Sequence, residues 1–183
     1  MRLFAAVFVE ENAARSLFER FASVAEMLKV KLVPPEKMHI TLNFFGEADI
    51  KTCAELSRQA AAGCGMFEVI IKGAGCFIRS AGSGTLWAAA SDENGKLKEL
   101  ALKTGNTVSV FTPHITLARF KNNFAAQKKI AEYIGENEVL DSFIAQKITL
   151  AESILTSAGA SYGSVGEFQL NEQQLPLPCL KTQ

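Results

Sequence analysis

The chain contains two histidines, and both open the same tetrapeptide. His39-Ile40-Thr41-Leu42 recurs as His114-Ile115-Thr116-Leu117. In extended backbone, side chains alternate between faces, so each copy sets an imidazole and a hydroxyl on one side and two aliphatic groups on the other. If the two His-x-Thr faces meet, two imidazoles and two hydroxyls surround one small volume. That set suits phosphoryl or acyl transfer by a paired general acid and base. One neutral imidazole removes a proton from the nucleophile, and the other, as imidazolium, protonates the leaving oxygen. An unperturbed histidine pKa of about 6.5 serves both roles. The threonine hydroxyls can donate to non-bridging phosphate oxygens, and no metal is needed.

A lone histidine on a strand is usually structural. What favours function here is that both histidines sit in identical tetrapeptides. A metal site is the weaker alternative, since no Asp, Glu or Cys stands at ligand spacing from either histidine. Cys53, Cys64, Cys76 and Cys179 form no C-x-x-C pair. They read as four reduced thiols of a cytoplasmic protein.

These strands need elements to hold them. A short repeat spaced by about half a domain predicts two related halves, facing each other across a pseudo-twofold axis. The run 3–9 reads as a central strand, and 12–30 as a helix with an apolar stripe of 3.6 period. Pro34 and Pro35 make a turn before an alternating strand, 38–45. Asp49 is the N-cap of a helix over 50–62. A strand at 67–72, a loop at 73–84, a strand at 85–90 and a helix at 95–103 follow. The second alternating strand is 113–120, followed by a helix at 124–134 and strands at 143–151 and 166–170. Mixed elements in this order predict an α+β fold.

Strict alternation puts Phe45 on the face of His39 and Thr41, where it stacks on a base or packs in the core. It puts Arg119 opposite His114 and Thr116, so a bulge or a strand end after Ala118 is needed to turn Arg119 inward. Trp87 reads as core rather than as a ligand platform.

At 183 residues the chain suits one domain or two small lobes sharing a cleft, read here as a single bilobal domain over 1–183. With 48% hydrophobic and 21% charged residues it is globular rather than disordered. Lys and Arg number 19, as do Asp and Glu. That balance excludes a broad electrostatic grip on nucleic acid but allows a local phosphate site. No apolar run is long enough for a membrane span. Glu10 and Glu11 follow the first apolar run directly, which argues for a strand over a signal peptide.

The flanks of the two tetrapeptides carry a resemblance. Leu32-Val33-Pro34-Pro35-Glu36-Lys37-Met38-His39-Ile40-Thr41-Leu42-Asn43-Phe44-Phe45-Gly46-Glu47 and Phe111-Thr112-Pro113-His114-Ile115-Thr116-Leu117-Ala118-Arg119 resemble the two motifs of the two-histidine (2H) phosphoesterase superfamily, in its LigT/ThpR-like branch. Arg2-Leu3-Phe4-Ala5-Ala6 and Leu86-Trp87-Ala88 are also similar. The stretch 104–110 is shorter than the branch's pattern. The resemblance implies two lobes, each with an antiparallel sheet presenting one motif to a central cleft. It implies metal-free hydrolysis of RNA 2′,3′-cyclic phosphate ends to 2′-phosphates, with no cofactor. It assigns His39 as proton donor and His114 as proton acceptor, with Thr41, Thr116 and Arg119 on the phosphate.

The residues alone do not say which histidine is the acid, because the motifs are identical. Three functions follow from this reading. The first is a cyclic phosphodiesterase on RNA ends, able to run backwards as a 2′-5′ ligase. The second acts on small cyclic phosphates or 2′-5′ oligonucleotides. The third is an RNA-end-binding module without turnover. A monomer is expected, with RNA ends or small nucleotides as partners and no membrane.

Overall fold

The structure, a computed structural model, describes residues 2–78, 83–120, 138–156 and 159–171. The elements run β1 (Arg2–Phe8), α1 (Glu11–Leu28), a 3-10 turn (Pro35–Lys37), β2 (His39–Gly46), α2 (Ile50–Ala62), β3 (Phe67–Ile78), β4 (Gly84–Ser91), α3 (Lys96–Lys103), β5 (His114–Phe120), β6 (Val139–Ala145), β7 (Lys147–Thr156) and β8 (Gly159–Gln169). The α+β class is as the sequence predicts. The helix expected over 124–134 and Cys179 lie outside the described residues.

The two separate sheets expected are instead one eight-stranded sheet, ordered β6-β3-β4-β5-β2-β1-β7-β8. Every strand pair is antiparallel. The two tetrapeptide strands meet at its middle, where β2 and β5 register at Ile40↔Ile115 alone. Each has a longer pairing on its outer side, β2 with β1 and β5 with β4. The seam is therefore narrow, and the halves of the sheet join through the backbone of the repeat itself.

The helices cover one face of this sheet. Glu10 caps α1 by accepting from the Asn12 N–H, and Asp49 caps α2 by accepting from the Thr52 N–H at 2.8 Å. From α1, Leu17 and Phe21 are fully buried, each contributing about 1.5–3 kcal/mol by burial. They share a cluster with Ile40, Leu42, Ile115 and Leu117, so the aliphatic half of both tetrapeptides is core. Among the described residues, no helix is long and apolar enough to cross a membrane.

Three strand boundaries differ from expectation. β3 continues from Lys72 to Ile78 through a register shift at Gly73, whose φ of +60° suits a residue without a Cβ. The single strand expected over 143–151 is two, broken at Gln146. β6 and β7 lie in opposite halves of the sheet. β8 begins at Gly159 rather than 166, since its Gly- and Ser-rich start is paired along β7.

Gly75 of β3 lies under Trp87 of β4, and a Cβ there would sit 2.5 Å from Trp87 Cζ2. The indole cannot yield freely, because it is stacked on Phe77 at 5.0 Å. We expect Gly75→Ala to lose roughly 1–3 kcal/mol of stability by overpacking. Urea unfolding checks this; an unchanged midpoint would contradict the packing.

Candidate active site

On the sheet face away from the helices, both histidines are held the same way. His39 Nδ1 is 2.7 Å from the Lys37 carbonyl, and His114 Nδ1 is 2.8 Å from the Thr112 carbonyl. A carbonyl can only accept, so Nδ1 carries the hydrogen in both rings. That leaves each Nε2 as the atom that titrates, free to take or give a proton. The anchoring carbonyl precedes its histidine by two residues in both copies, so the repeat extends to backbone geometry.

The seam register arranges the four side chains. An antiparallel pair centred on Ile40↔Ile115 sets His39 opposite Thr116 and Thr41 opposite His114. Each imidazole therefore faces the hydroxyl of the other motif. Thr41 and His114 line one cavity of about 270 Å³, together with Phe44 and Phe77.

Past the tetrapeptides, alternation fails in the same manner in both strands. In β5, Thr116 pairs with Trp87 and Ala118 with Leu86, which leaves Leu117 extra. In β2, Thr41 pairs with Ala6 and Asn43 with Ala5, which leaves Leu42 extra. Each bulge shifts the phase by one residue. Leu117 and Ala118 are both buried as a result, and Arg119 is exposed beyond them. Arg119 is close enough for its charge to act on His39, and it forms no ion pair among the described residues. The inward turn needed for Arg119 is present, one residue earlier than alternation required. Ala118 belongs to the core rather than to the site face.

The same phase shift corrects Phe45. Its side chain packs against the helix-side core with Leu3, Cys53 and Leu150, not beside His39. Phe44 takes the site face instead and is 73% exposed. Phe44 and Arg119 occupy equivalent places, five residues beyond their histidines. Aligning the two copies past the tetrapeptide would have revealed Phe44.

Identical in sequence, the two imidazoles differ in surroundings. His39 is enclosed by Phe4, Phe8 and Tyr162, with ring centroids at 5.1, 5.2 and 5.1 Å. Burial pushes its pKa below the ordinary value, and the charges of Arg119 and His114 push the same way, against the pull of the Lys37 carbonyl. His114 meets Phe77 at 5.1 Å and Trp87 at 6.4 Å, and its carbonyl partner belongs to exposed Thr112. Trp87 thus backs His114 on the site face, half-buried and outside the helix-side core, which departs from the core reading. Its buried Nε1 has no partner among the described residues, a cost of about 1–3 kcal/mol. Phe4, Phe8, Phe77 and Tyr162 were not singled out from sequence, because nothing local separates them from core aromatics.

Among the described residues, no three His, Cys, Asp or Glu side chains converge. A hollow of about 410 Å³ beside Val9, Pro35 and Glu36 holds neither histidine, and its Arg15 is paired with Glu11 at 2.7 Å.

Known proteins resemble the chain in sequence and fold. A family model described as LigT like Phosphoesterase matches residues 7–87. An RNA 2′,3′-cyclic phosphodiesterase of Methanothermobacter thermautotrophicus is 30% identical over 187 residues, covering 93% of this chain and 99% of that protein. The chain belongs to the LigT-like phosphoesterase family. Among solved members of this fold, TT0787 of Thermus thermophilus has a TM-score of 0.72 at 26% identity, covering 94% of this chain and 100% of that one. E. coli LigT complexed with phosphate has a TM-score of 0.74 at 22% identity, over 93% and 98% of the two chains, a likeness of fold.

The enclosure of His39 has a measurable consequence. With two histidines in the chain, the His39 imidazole is readily assigned and followed by NMR. His39 is expected to titrate below 6.5, and Arg119→Gln to raise its midpoint. Because the unfolded state binds that proton more readily, His39's share of stability is present above pH 6.5 and lost as pH falls toward the folded-state pKa. A His39 midpoint at or above 6.5 would contradict the enclosure.

Proposed function

We propose that the chain hydrolyses 2′,3′-cyclic phosphate ends of RNA to 2′-phosphates, with His39 as general acid and His114 as general base. The observation that carries this reading is the mirrored pair of Nδ1-anchored imidazoles, each facing the other motif's threonine. The name of the Methanothermobacter relative supports the same substrate class.

The reaction balances with these groups alone. His114 Nε2 takes a proton from water as its oxygen bonds to phosphorus, and the P–O3′ bond breaks as His39 Nε2 protonates O3′. The 2′-phosphate stays on the ribose. Thr41, Thr116 and Arg119 hold the non-bridging oxygens, where negative charge accumulates. Exchange with solvent then resets both imidazoles. No metal is required by this sequence of transfers. Run in the same direction, with a 5′-hydroxyl in place of water as the nucleophile, the same groups join two RNA ends through a 2′-5′ bond.

The difference between the two imidazoles supports the assignment of roles. His114 lines the open cavity, where bulk water reaches it. His39 is half-buried against three aromatic rings, so less of its imidazole meets solvent on the way to the leaving oxygen. In the free enzyme that enclosure disfavours imidazolium. A bound phosphodiester brings one negative charge beside His39 and Arg119, offsetting both effects and loading the proton. Equal numbers of basic and acidic residues favour a grip on the terminal nucleotide over a grip on a long strand.

His39→Ala and His114→Ala are each expected to reduce turnover of a cyclic-phosphate end by roughly 10²–10⁴-fold. The wild type is expected to keep its rate in EDTA and to show a bell-shaped pH profile. Near-normal turnover by either folded variant would sink the proposal.

A further inference from the structure

We propose that Lys37 is a positioning residue for His39 and acts from both of its ends: its carbonyl fixes the imidazole, and its ammonium clips the β7–β8 hairpin over the same ring. This rests on the functional reading above and deepens it, since His39 is the proton donor there.

The hairpin does not lie flat beside its neighbours. β8 is an edge strand, and in the order β2-β1-β7-β8 it stands three steps from β2. In a flat sheet three steps span roughly 14 Å. Tyr162 of β8 nonetheless has its ring centroid 5.1 Å from that of His39 and 5.2 Å from that of Phe4. The hairpin therefore arches across the site face. Its composition permits this. Residues 159–166 include three glycines and two serines, and the pairing with β7 shifts register between Leu150 and Ala151. A strand start with so few packing side chains has little of its own to hold it down.

Lys37 supplies the hold. Its Nζ donates to the Ala160 carbonyl at 3.1 Å, across 123 positions of chain. A charged donor makes a hydrogen bond roughly twice as strong as a neutral one. Tyr162 lies two residues past Ala160, so fixing that carbonyl fixes the ring. At the other end of the same residue, the Lys37 carbonyl takes His39 Nδ1 at 2.7 Å. The 3-10 turn steadies the backbone between them, with the Lys37 N–H donating to the Pro34 carbonyl at 2.9 Å. The second motif has no counterpart. Thr112 stands two residues before His114 and offers the same carbonyl, but its side chain is too short to clip a strand. The titratable groups facing His39 are Arg119 and His114 from β5, Tyr162 from β8 and Lys37 itself, while β1 contributes the uncharged rings of Phe4 and Phe8. Because the ammonium is directed to Ala160, its influence on His39 runs through Tyr162. Losing the clip uncovers the imidazole and moves its midpoint up toward the ordinary value.

The test follows His39 by NMR in wild type, Lys37→Met, Lys37→Gln, Lys37→Arg, Tyr162→Ala and the Lys37→Met/Tyr162→Ala double variant. Every variant keeps the carbonyl at position 37. Lys37→Met is expected to raise the His39 midpoint and to lose the NOE between the Tyr162 and His39 rings. Lys37→Gln repeats this with a polar, uncharged side chain. Lys37→Arg, which keeps a charged donor, is expected to retain both wild-type signals. Tyr162→Ala is expected to raise the midpoint as well, and the double variant to go no further than Tyr162→Ala alone. On a cyclic-phosphate end, Lys37→Met is expected to lower kcat roughly 5- to 100-fold with KM changed less than about twofold, and Lys37→Arg to restore kcat. An unmoved His39 midpoint in folded Lys37→Met and Lys37→Gln would overturn the clip. A double-variant shift equal to the sum of the single shifts would overturn it too, because Lys37 would then act by charge rather than through Tyr162. A displaced His39 with unchanged kcat would overturn the positioning role. A wild type that turns over no cyclic phosphate refutes the functional reading, while the NMR titrations decide the clip without turnover.

Discussion

In each tetrapeptide strand the leucine is one residue too many for the strand beside it, and its carbonyl is taken up from elsewhere. Asn106 Nδ2 donates to the Leu42 carbonyl, and the Val33 N–H donates to the Leu117 carbonyl, both at 2.7 Å. The site depends on this pair of bulges. Without them, strict alternation would turn Arg119 into the helix-side core and bury Phe44 in place of Phe45. With them, each strand presents three successive site groups: histidine, threonine, and a third residue that differs between the halves. Arg119 brings charge and Phe44 brings an aromatic face. A repeated strand thus yields an asymmetric site face, with histidine and threonine common to both halves and a third residue that differs between them.

Asymmetry also separates two chemically identical imidazoles. The anchoring carbonyls equalise their tautomers, so what distinguishes them is the second layer of aromatic rings. Phe4, Phe8 and Tyr162 come from β1 and β8, and Phe77 and Trp87 come from β3 and β4. These strands flank the seam without belonging to it. What differs between the two imidazoles therefore resides in the outer strands, not in the repeated tetrapeptide. The narrow join at Ile40↔Ile115 brings the two motifs to one volume while leaving most of each strand free to follow its own half.

The candidate site was legible in the sequence because it is carried by residue identity: two histidines, twice the same tetrapeptide. The faces of His39, Thr41, His114 and Thr116 followed from period two alone. Beyond Leu42 and Leu117 that period fails, so strict alternation sets Phe45 on the site face and Arg119 on the core face, each on the wrong side. A bulge is set by pairing with β1 and β4, and pairing partners are not a local property. The sequence does hold one unread signal of this kind. Burial alternates over Phe143 and Ala145 but is continuous from Ile148 to Ala151. That change marks the break at Gln146, where the chain leaves one half of the sheet for the other. The Gly- and Ser-rich start of β8 carried no such mark, because its strand conformation comes from its partner β7. Likewise, the single continuous sheet rests on one residue pair, which no motif announces.

The central claim is that the two anchored imidazoles transfer protons to and from one cyclic phosphate, with O3′ leaving from the side of His39. Incubating the wild-type protein in EDTA with an oligoribonucleotide ending in 2′,3′-cyclic phosphate, and identifying the terminal product, tests it most directly. A 2′-phosphate end is predicted. A 3′-phosphate end, or an unchanged cyclic end, would contradict the account.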